Sequence, residues 1–127
     1  MTIWGEARNQ TILGQILVGQ VIYNRWKNPG WWGKTLEGVI LKPYQFSCWN
    51  KKDPNREKMI SAMSTCLDGG CDKTMKQTMW IADGILLGKI KDYSKGANHY
   101  HHESVEPFWS IKHAPVIHED SHLFYKL

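Results

Sequence analysis

The sequence of 127 residues lacks the features that mark several large classes of protein. No apolar run approaches the roughly 20 residues that a bilayer-spanning helix needs, so we expect no stable membrane insertion. The chain does not open with a basic segment followed by an apolar one, so we expect no secretory signal. Lysine and arginine are scattered without a long run, and no nucleic-acid-binding motif is present, which argues against a nucleic-acid partner.

The signatures of common hydrolytic sites are absent as well. The sequence contains no His-Glu-x-x-His, no Cys-x-x-Cys and no Gly-x-Ser-x-Gly. A Cys48 nucleophile with a distant histidine stays open as a minor alternative. So does a zinc site, because His99 and His101 would share one face of a strand. We predict no metal and no cofactor. The histidines that could supply zinc ligands are His99, His101, His102, His118 and His122.

Cysteine is scarce, with three residues at positions 48, 66 and 71. Cys66 and Cys71 flank Leu-Asp-Gly-Gly, a tight turn that would allow a disulfide. Because no secretory signal is visible, we expect free thiols there instead.

Tryptophan, in contrast, is abundant, with seven residues, and the net charge is +4. Sugar rings present apolar C–H faces that stack on indole, so a tryptophan-lined groove suits carbohydrate, although the same rings could stack bases. The positive charge suits an anionic partner such as a cell wall polymer. The tryptophans that flank loops or element ends are Trp4, Trp26, Trp31, Trp32, Trp49 and Trp109.

Apolar periodicity and capping residues predict a mainly helical α+β domain over residues 1–127. Helices are expected near residues 1–8 and over 11–27, 35–41, 54–68 and 73–87. We read Gly14 and Gly19 as close-packing points of the central helix. An extended segment is expected at 44–49, and a small antiparallel sheet from 96–102, 116–118 and 122–125. The apolar helix faces are predicted at Ile12, Leu13, Ile16, Leu17, Val21, Ile22, Met59, Ile60, Met63, Leu67, Met75, Met79, Ala82, Ile85 and Leu86.

Glu6 is the candidate for chemistry. It follows Ile3 and Trp4, and a carboxyl group with apolar neighbours loses hydration, which favours its neutral form. A carboxylic acid that stays protonated near neutral pH can donate a proton to a leaving oxygen.

A second carboxylate is harder to find. Glycoside hydrolysis by the common route needs two carboxyl groups, roughly 5 to 9 Å apart. The candidates all lie in predicted loops, so a non-hydrolytic route, in which a substrate hydroxyl attacks the anomeric carbon, suits the sequence better. These candidates are Glu103, Glu106, Glu119 and Asp120.

Several separated motifs occur in the order found in the spore cortex-lytic and cell wall hydrolase family of the SleB type, which the chain resembles. They are Ile-Trp-Gly-Glu-Ala-Arg at 3–8, Gly-Gln-x-x-Val-Gly-Gln-Val-Ile-x-Asn-Arg at 14–25, Gly-Val-Ile-x-x-Pro-x-Gln-Phe-Ser at 38–47, Gly-Ala-x-x-Tyr at 96–100, Trp109, and His-x-Phe-Tyr at 122–125.

The resemblance implies a lysozyme-like fold with helices around a cleft and a small β-element beside it. It implies that Glu6 is the catalytic acid, at the end of a helix. It also implies cleavage of the bond between N-acetylmuramic acid and N-acetylglucosamine in peptidoglycan glycan strands, as a lytic transglycosylase. Gln45, Ser47, Tyr100 and Trp109 lie in family motifs that line the groove and are carried as substrate-binding residues.

A basic wall-degrading enzyme without a signal resembles a phage endolysin. We therefore expect it to be cytoplasmic until release and then to act on the cell wall. We also expect a monomer. A muramidase with Glu103 or Glu106 as the second carboxylate is the first alternative. A carbohydrate- or nucleic-acid-binding module without catalysis is the second, and a metal-dependent amidase is the third.

Overall fold

The computed structural model describes all 127 residues as five α-helices and a three-stranded antiparallel sheet. The mainly helical α+β prediction is confirmed. No helix has both the length and the apolar character that crossing a membrane requires. The elements are α1 Thr2–Ala7, α2 Ile12–Lys27, α3 Leu36–Leu41, α4 Pro54–Thr65, α5 Lys73–Leu86, β1 His99–His102, β2 Ile117–Glu119 and β3 His122–Tyr125.

Local capping chemistry determines where the helices begin. A side-chain oxygen of the residue before each helix accepts a hydrogen bond from a backbone amide of the first turn, and this satisfies one otherwise unpaired donor. The capping residues are Thr11 for α2, Thr35 for α3, Asp53 for α4 and Asp72 for α5. The predicted helix starts are therefore confirmed.

Helix α2 is the centre of the domain and packs against α1, α3, α5 and β1. Gly19 lies where the neighbouring helices come closest, because a Cβ atom there would be 2.6 Å from Cδ1 of Ile85 and 3.0 Å from Cδ1 of Ile3. The prediction of close packing at this glycine is confirmed. Ile12 and Leu13 were expected in the core but are exposed.

The exposure of that first turn has a physical reason. It faces the polar β2–β3 turn, where the backbone amide of Thr11 donates to Asp120 at 3.1 Å and its hydroxyl donates to Glu119 at 3.0 Å. Four other residues predicted in the core are also exposed: three lie on α4 and α5, which each bury only a narrow stripe, and Leu67 lies in the turn after α4. These four are Ile60, Leu67, Met79 and Leu86.

Two loop predictions are wrong. Residues 44–49 are not an extended segment: a tight turn leads into a short 3-10 helix, Ser47–Trp49, and the buried Phe46 anchors it. Cys66 and Cys71 form a disulfide instead of free thiols. A π-helical turn with Gly69 at φ +91° returns the chain so that the two cysteines meet.

The sheet has the strand order β1–β3–β2, with both pairs antiparallel. Because side chains alternate along a strand, β1 presents its odd and even residues on opposite faces. Tyr100 shares one face with His122 and Phe124, whereas His99 and His101 share the other face with Tyr125.

Candidate active site

Glu6 lies in the last turn of α1, half-buried, with its carboxyl group between β1 and the 44–49 loop. Its Oε1 accepts a hydrogen bond from the Tyr100 hydroxyl at 2.9 Å. Its Oε2 accepts a longer one from the Ser47 hydroxyl at 3.4 Å. Ser47 and Tyr100 therefore meet at one carboxyl group, although they lie 41 and 94 positions from Glu6 in the sequence.

Burial raises the pKa of Glu6 above its ordinary value, and hydrogen bonds from Tyr100, Cys48 and Ser47 oppose the shift without cancelling it. The predicted desolvation is confirmed. Trp4 packs in the same core cluster as Cys48, with Tyr100 against it, whereas Ile3 packs in a separate cluster. A raised pKa favours the protonated form of the carboxyl group, which can donate its proton to a leaving group.

Tyr100 is the closest hydrogen-bond partner of Glu6. Burial raises the pKa of its hydroxyl well above the ordinary value, so the hydroxyl stays protonated and donates to the carboxyl group. Its ring packs on His122 and Phe124, with centroid distances of 5.0 and 5.7 Å. The sequence prediction made Tyr100 a substrate-binding residue, and the structure adds this contact with Glu6, which no local pattern signals.

Polar side chains of α2 hold the start of β1 in place. The Asn24 amide donates to the carbonyl of Ala97 at 2.8 Å, and Nε of Arg25 donates to the carbonyl of Asn98 at 2.7 Å. Both side chains belong to the 14–25 motif. This part of the motif therefore anchors the strand that carries Tyr100.

The 3-10 helix Ser47–Trp49 forms the other wall of the site. Cys48 is fully buried, and burial raises the pKa of its thiol far above the ordinary range. Because a thiol must ionise to act as a nucleophile, this environment argues against the cysteine-nucleophile alternative. Gly5 allows the loop to approach α1, since a Cβ atom there would be 2.7 Å from Cβ of Cys48.

Gln45 and Trp109 form no hydrogen bond with the Glu6 carboxyl group. Gln45 is half-buried on the same loop as Ser47, and its side chain forms no hydrogen bond within the chain. Trp109 packs against His99 and His101, with centroid distances of 5.0 and 5.6 Å, on the face of β1 opposite Tyr100. The substrate-binding roles of Gln45 and Trp109 stay predictions.

The candidate second carboxylates lie elsewhere. Glu103 forms an exposed ion pair with His118 at 3.2 Å. Glu103 and Glu106 line a separate cavity with His101 and Tyr125. No carboxylate is among the groups that shift the pKa of Glu6. The groups that donate to the Glu6 carboxyl are thus the hydroxyls of Tyr100 and Ser47 and the amide and thiol of Cys48.

The histidines of the β-element do not form a metal site, since no three His, Cys, Asp or Glu side chains are grouped as ligands. Burial is the main cause that lowers the pKa of His99 and of His122 to about 4. Both rings are therefore neutral at pH 7 and act as packing groups against their aromatic neighbours.

Comparison with known proteins agrees with this fold. The structure is similar to the catalytic domain of the Bacillus cereus SleB protein, with a TM-score of 0.63 and 22% identity over 98% of this chain and 84% of that one. It is equally similar to the catalytic domain of the germination-specific lytic transglycosylase SleB from Bacillus anthracis, with a TM-score of 0.63 and 22% identity over 98% and 88%. No curated protein sequence matches the chain.

A family model described as cell wall hydrolase matches residues 9–125. The match begins three residues after Glu6, so the assignment of the acid depends on the geometry of the site. It includes Ser47, Tyr100 and the polar residues of α2 that position β1. Because the matched range takes in nearly the whole chain, the protein belongs to the cell wall hydrolase family.

Proposed function

We propose that the protein cleaves the glycosidic bond between N-acetylmuramic acid and N-acetylglucosamine in peptidoglycan, as a lytic transglycosylase with Glu6 as its acid and base. Membership of the cell wall hydrolase family supports peptidoglycan as the substrate. The similarity of fold to a germination-specific lytic transglycosylase supports the reaction type. The substrate places the site of action at the cell wall.

The first step uses Glu6 as a general acid. The protonated carboxyl group transfers its proton to the glycosidic oxygen while the bond from that oxygen to C1 of the muramic acid breaks. N-acetylglucosamine leaves as a neutral alcohol, and positive charge develops on the muramic acid ring. The elevated pKa of Glu6 keeps the proton available, and the Tyr100 hydroxyl stabilises the carboxylate that remains.

The second step uses the same carboxyl group as a base. The Glu6 carboxylate removes the proton from the C6 hydroxyl of the muramic acid while that oxygen bonds to C1. The products are a 1,6-anhydro sugar and a protonated Glu6, so the enzyme returns to its starting state without consuming water. One carboxyl group therefore suffices for both proton transfers.

The observation that carries this proposal is that the hydrogen-bond partners of Glu6 include no carboxylate. A hydrolase of the common type needs a second carboxyl group at about 5 to 9 Å, either as nucleophile or as base for water. Around Glu6 the partners are the hydroxyl groups of Tyr100 and Ser47, and Glu103 is paired with His118. The arrangement favours attack by a hydroxyl group of the substrate over attack by water.

Clearing of a peptidoglycan suspension by Glu6→Gln tests the role of the acid. Because a positioned general acid contributes roughly 100- to 10,000-fold to the rate, we expect clearing to slow by at least about 100-fold. The exposed Glu57→Gln is the matched control, with the same loss of charge away from the site, and it should clear at the wild-type rate. Equal clearing by both variants would contradict the assignment. Binding without clearing by the wild type would support the binding-module alternative.

A further inference from the structure

A basic cavity lies beside the loop that forms one wall of the active site. Its volume is about 810 Å³, and three lysines and one aspartate carry the charge of its lining. Asp53 is already engaged, since its carboxylate accepts the capping hydrogen bond from Asn55 at 2.8 Å. Lys42, Lys51 and Lys52 make no ion pair within the chain, so their charges are available to a ligand.

Two aromatic side chains complete the cavity, and one of them is held firmly. The indole nitrogen of Trp49 donates to the hydroxyl of Thr2 at 3.1 Å, which ties the cavity wall to α1. Tyr44 is 86% exposed and has a φ of +65°, a conformation that costs energy in a non-glycine residue. Residues in strained conformations cluster where ligands bind.

The cavity and the active site are built from the same loop and the same helix. Ser47, which contacts the Glu6 carboxyl group, lies between Tyr44 and Trp49 on one short loop. Thr2, which holds Trp49, lies one helical turn before Glu6 in α1. The shared loop and helix thus put the lysines on the side of the site where a substituent of the cleaved muramic acid would extend from Glu6.

We propose that this cavity binds the peptide stem of the substrate through its carboxylate groups. The inference rests on the proposed function, in which the cleaved bond belongs to the muramic acid that bears the stem. The stem is a short acidic peptide, so lysines suit its carboxylates and the aromatic rings suit its apolar portions. The enzyme would thus prefer glycan strands that carry stems over strands that have lost them.

The other anionic substituent of cell walls is a teichoic acid phosphate, and the chemistry argues against it here. Teichoic acid is attached through the C6 hydroxyl of muramic acid. That same hydroxyl attacks C1 in the proposed reaction, so the muramic acid at Glu6 has to be unsubstituted at this position. The stem is attached at a different carbon and is compatible with cleavage.

Binding to two forms of glycan tests the inference in a Glu6→Gln background, which leaves the polymer intact. The first form is peptidoglycan freed of teichoic acid by hydrofluoric acid, and the second is the same material after an amidase has removed the stems. Addition of Lys42→Gln, Lys51→Gln and Lys52→Gln should weaken co-sedimentation with the stem-bearing form about tenfold more than with the stripped form.

The matched control replaces three exposed lysines away from the cavity, Lys73, Lys76 and Lys89, by glutamine and makes the same change in net charge. It should keep the parent's preference for stems. Untreated walls that retain teichoic acid are tested as a third sample. The inference is overturned if the cavity variant keeps the preference, if the control loses it equally, or if the cavity variant weakens binding only to this third sample. Because binding is read without catalysis, these results are independent of whether the wild type releases anhydro products, which tests the proposed function.

Discussion

Tyr100→Phe tests how the Glu6 carboxyl group is held in a working state. The substitution removes one hydroxyl group and keeps the ring that packs on His122 and Phe124. The lost hydrogen bond is 2.9 Å long and is made to a carboxyl group that becomes charged during the reaction. Hydrogen bonds to charged groups contribute about 1.5–3 kcal/mol, so kcat should fall about 10- to 150-fold.

The pH profile of the same variant tests the direction in which the pKa of Glu6 changes. In the proposed mechanism the first step needs protonated Glu6, so we expect activity to decline as pH rises through the pKa of Glu6. Because the hydrogen bond from Tyr100 lowers that pKa, its removal raises the pKa, and the alkaline limb of the profile should move to higher pH. Release of soluble muropeptides, followed across pH, measures both effects.

Tyr125→Phe is the matched control for this experiment. Its hydroxyl also makes a 2.9 Å hydrogen bond, to His101, but on the face of β1 away from Glu6. The Tyr125→Phe variant should lose stability, but its kcat should not fall comparably and the alkaline limb of its pH profile should not move. The reasoning fails if Tyr100→Phe keeps the wild-type kcat, if its alkaline limb stays or moves to lower pH, or if the control loses as much activity.

Two further predictions concern packing and pH. Gly5→Ala should lower the free energy of unfolding by about 1 kcal/mol in urea titrations, because overpacking against Cys48 costs about 1–3 kcal/mol and the gain in helix propensity returns about 1; an unchanged midpoint would contradict the close approach. Burial lowers the pKa of His99 and His122 to about 4, below the unfolded value near 6.5, so the unfolded chain binds more protons and stability should fall as pH drops from 6.5 towards 4. The His99→Gln, His122→Gln double variant should show a flatter dependence, and an equal slope would refute the assignment.

What could be predicted from the sequence was local. Helix starts follow from capping residues such as Asp53 and Asp72, whose partners lie two or three positions away. The close packing at Gly19 could be inferred because a glycine inside a strongly periodic helix costs stability and needs a reason. The desolvation of Glu6 could be predicted from its apolar neighbours in the sequence, whereas its hydrogen-bond partners Tyr100 and Ser47 could not.

What could not be predicted depends on contacts between distant segments. Tyr100 contacts Glu6 because α2 anchors the start of β1. No periodic pattern in the sequence predicts this contact. The faces of α4 and α5 were assigned too broadly, since periodicity indicates which residues share a face and not how much of it is covered. The alternation of side chains along β1 could have been used, because His99 and His101 point to the opposite face of the strand from Tyr100. Trp109 packs on His99 and His101 and therefore lies on that opposite face.

The central claim is that the substrate's own hydroxyl, and not water, completes the reaction at a lone carboxyl group. Digestion of peptidoglycan in water enriched in ¹⁸O, followed by mass spectrometry of the released muropeptides, tests it most directly. The account predicts products lighter than the reducing sugars by one water and free of ¹⁸O. Products with normal reducing ends that carry ¹⁸O at C1 would contradict it and would require a second carboxylate at the site of Glu6.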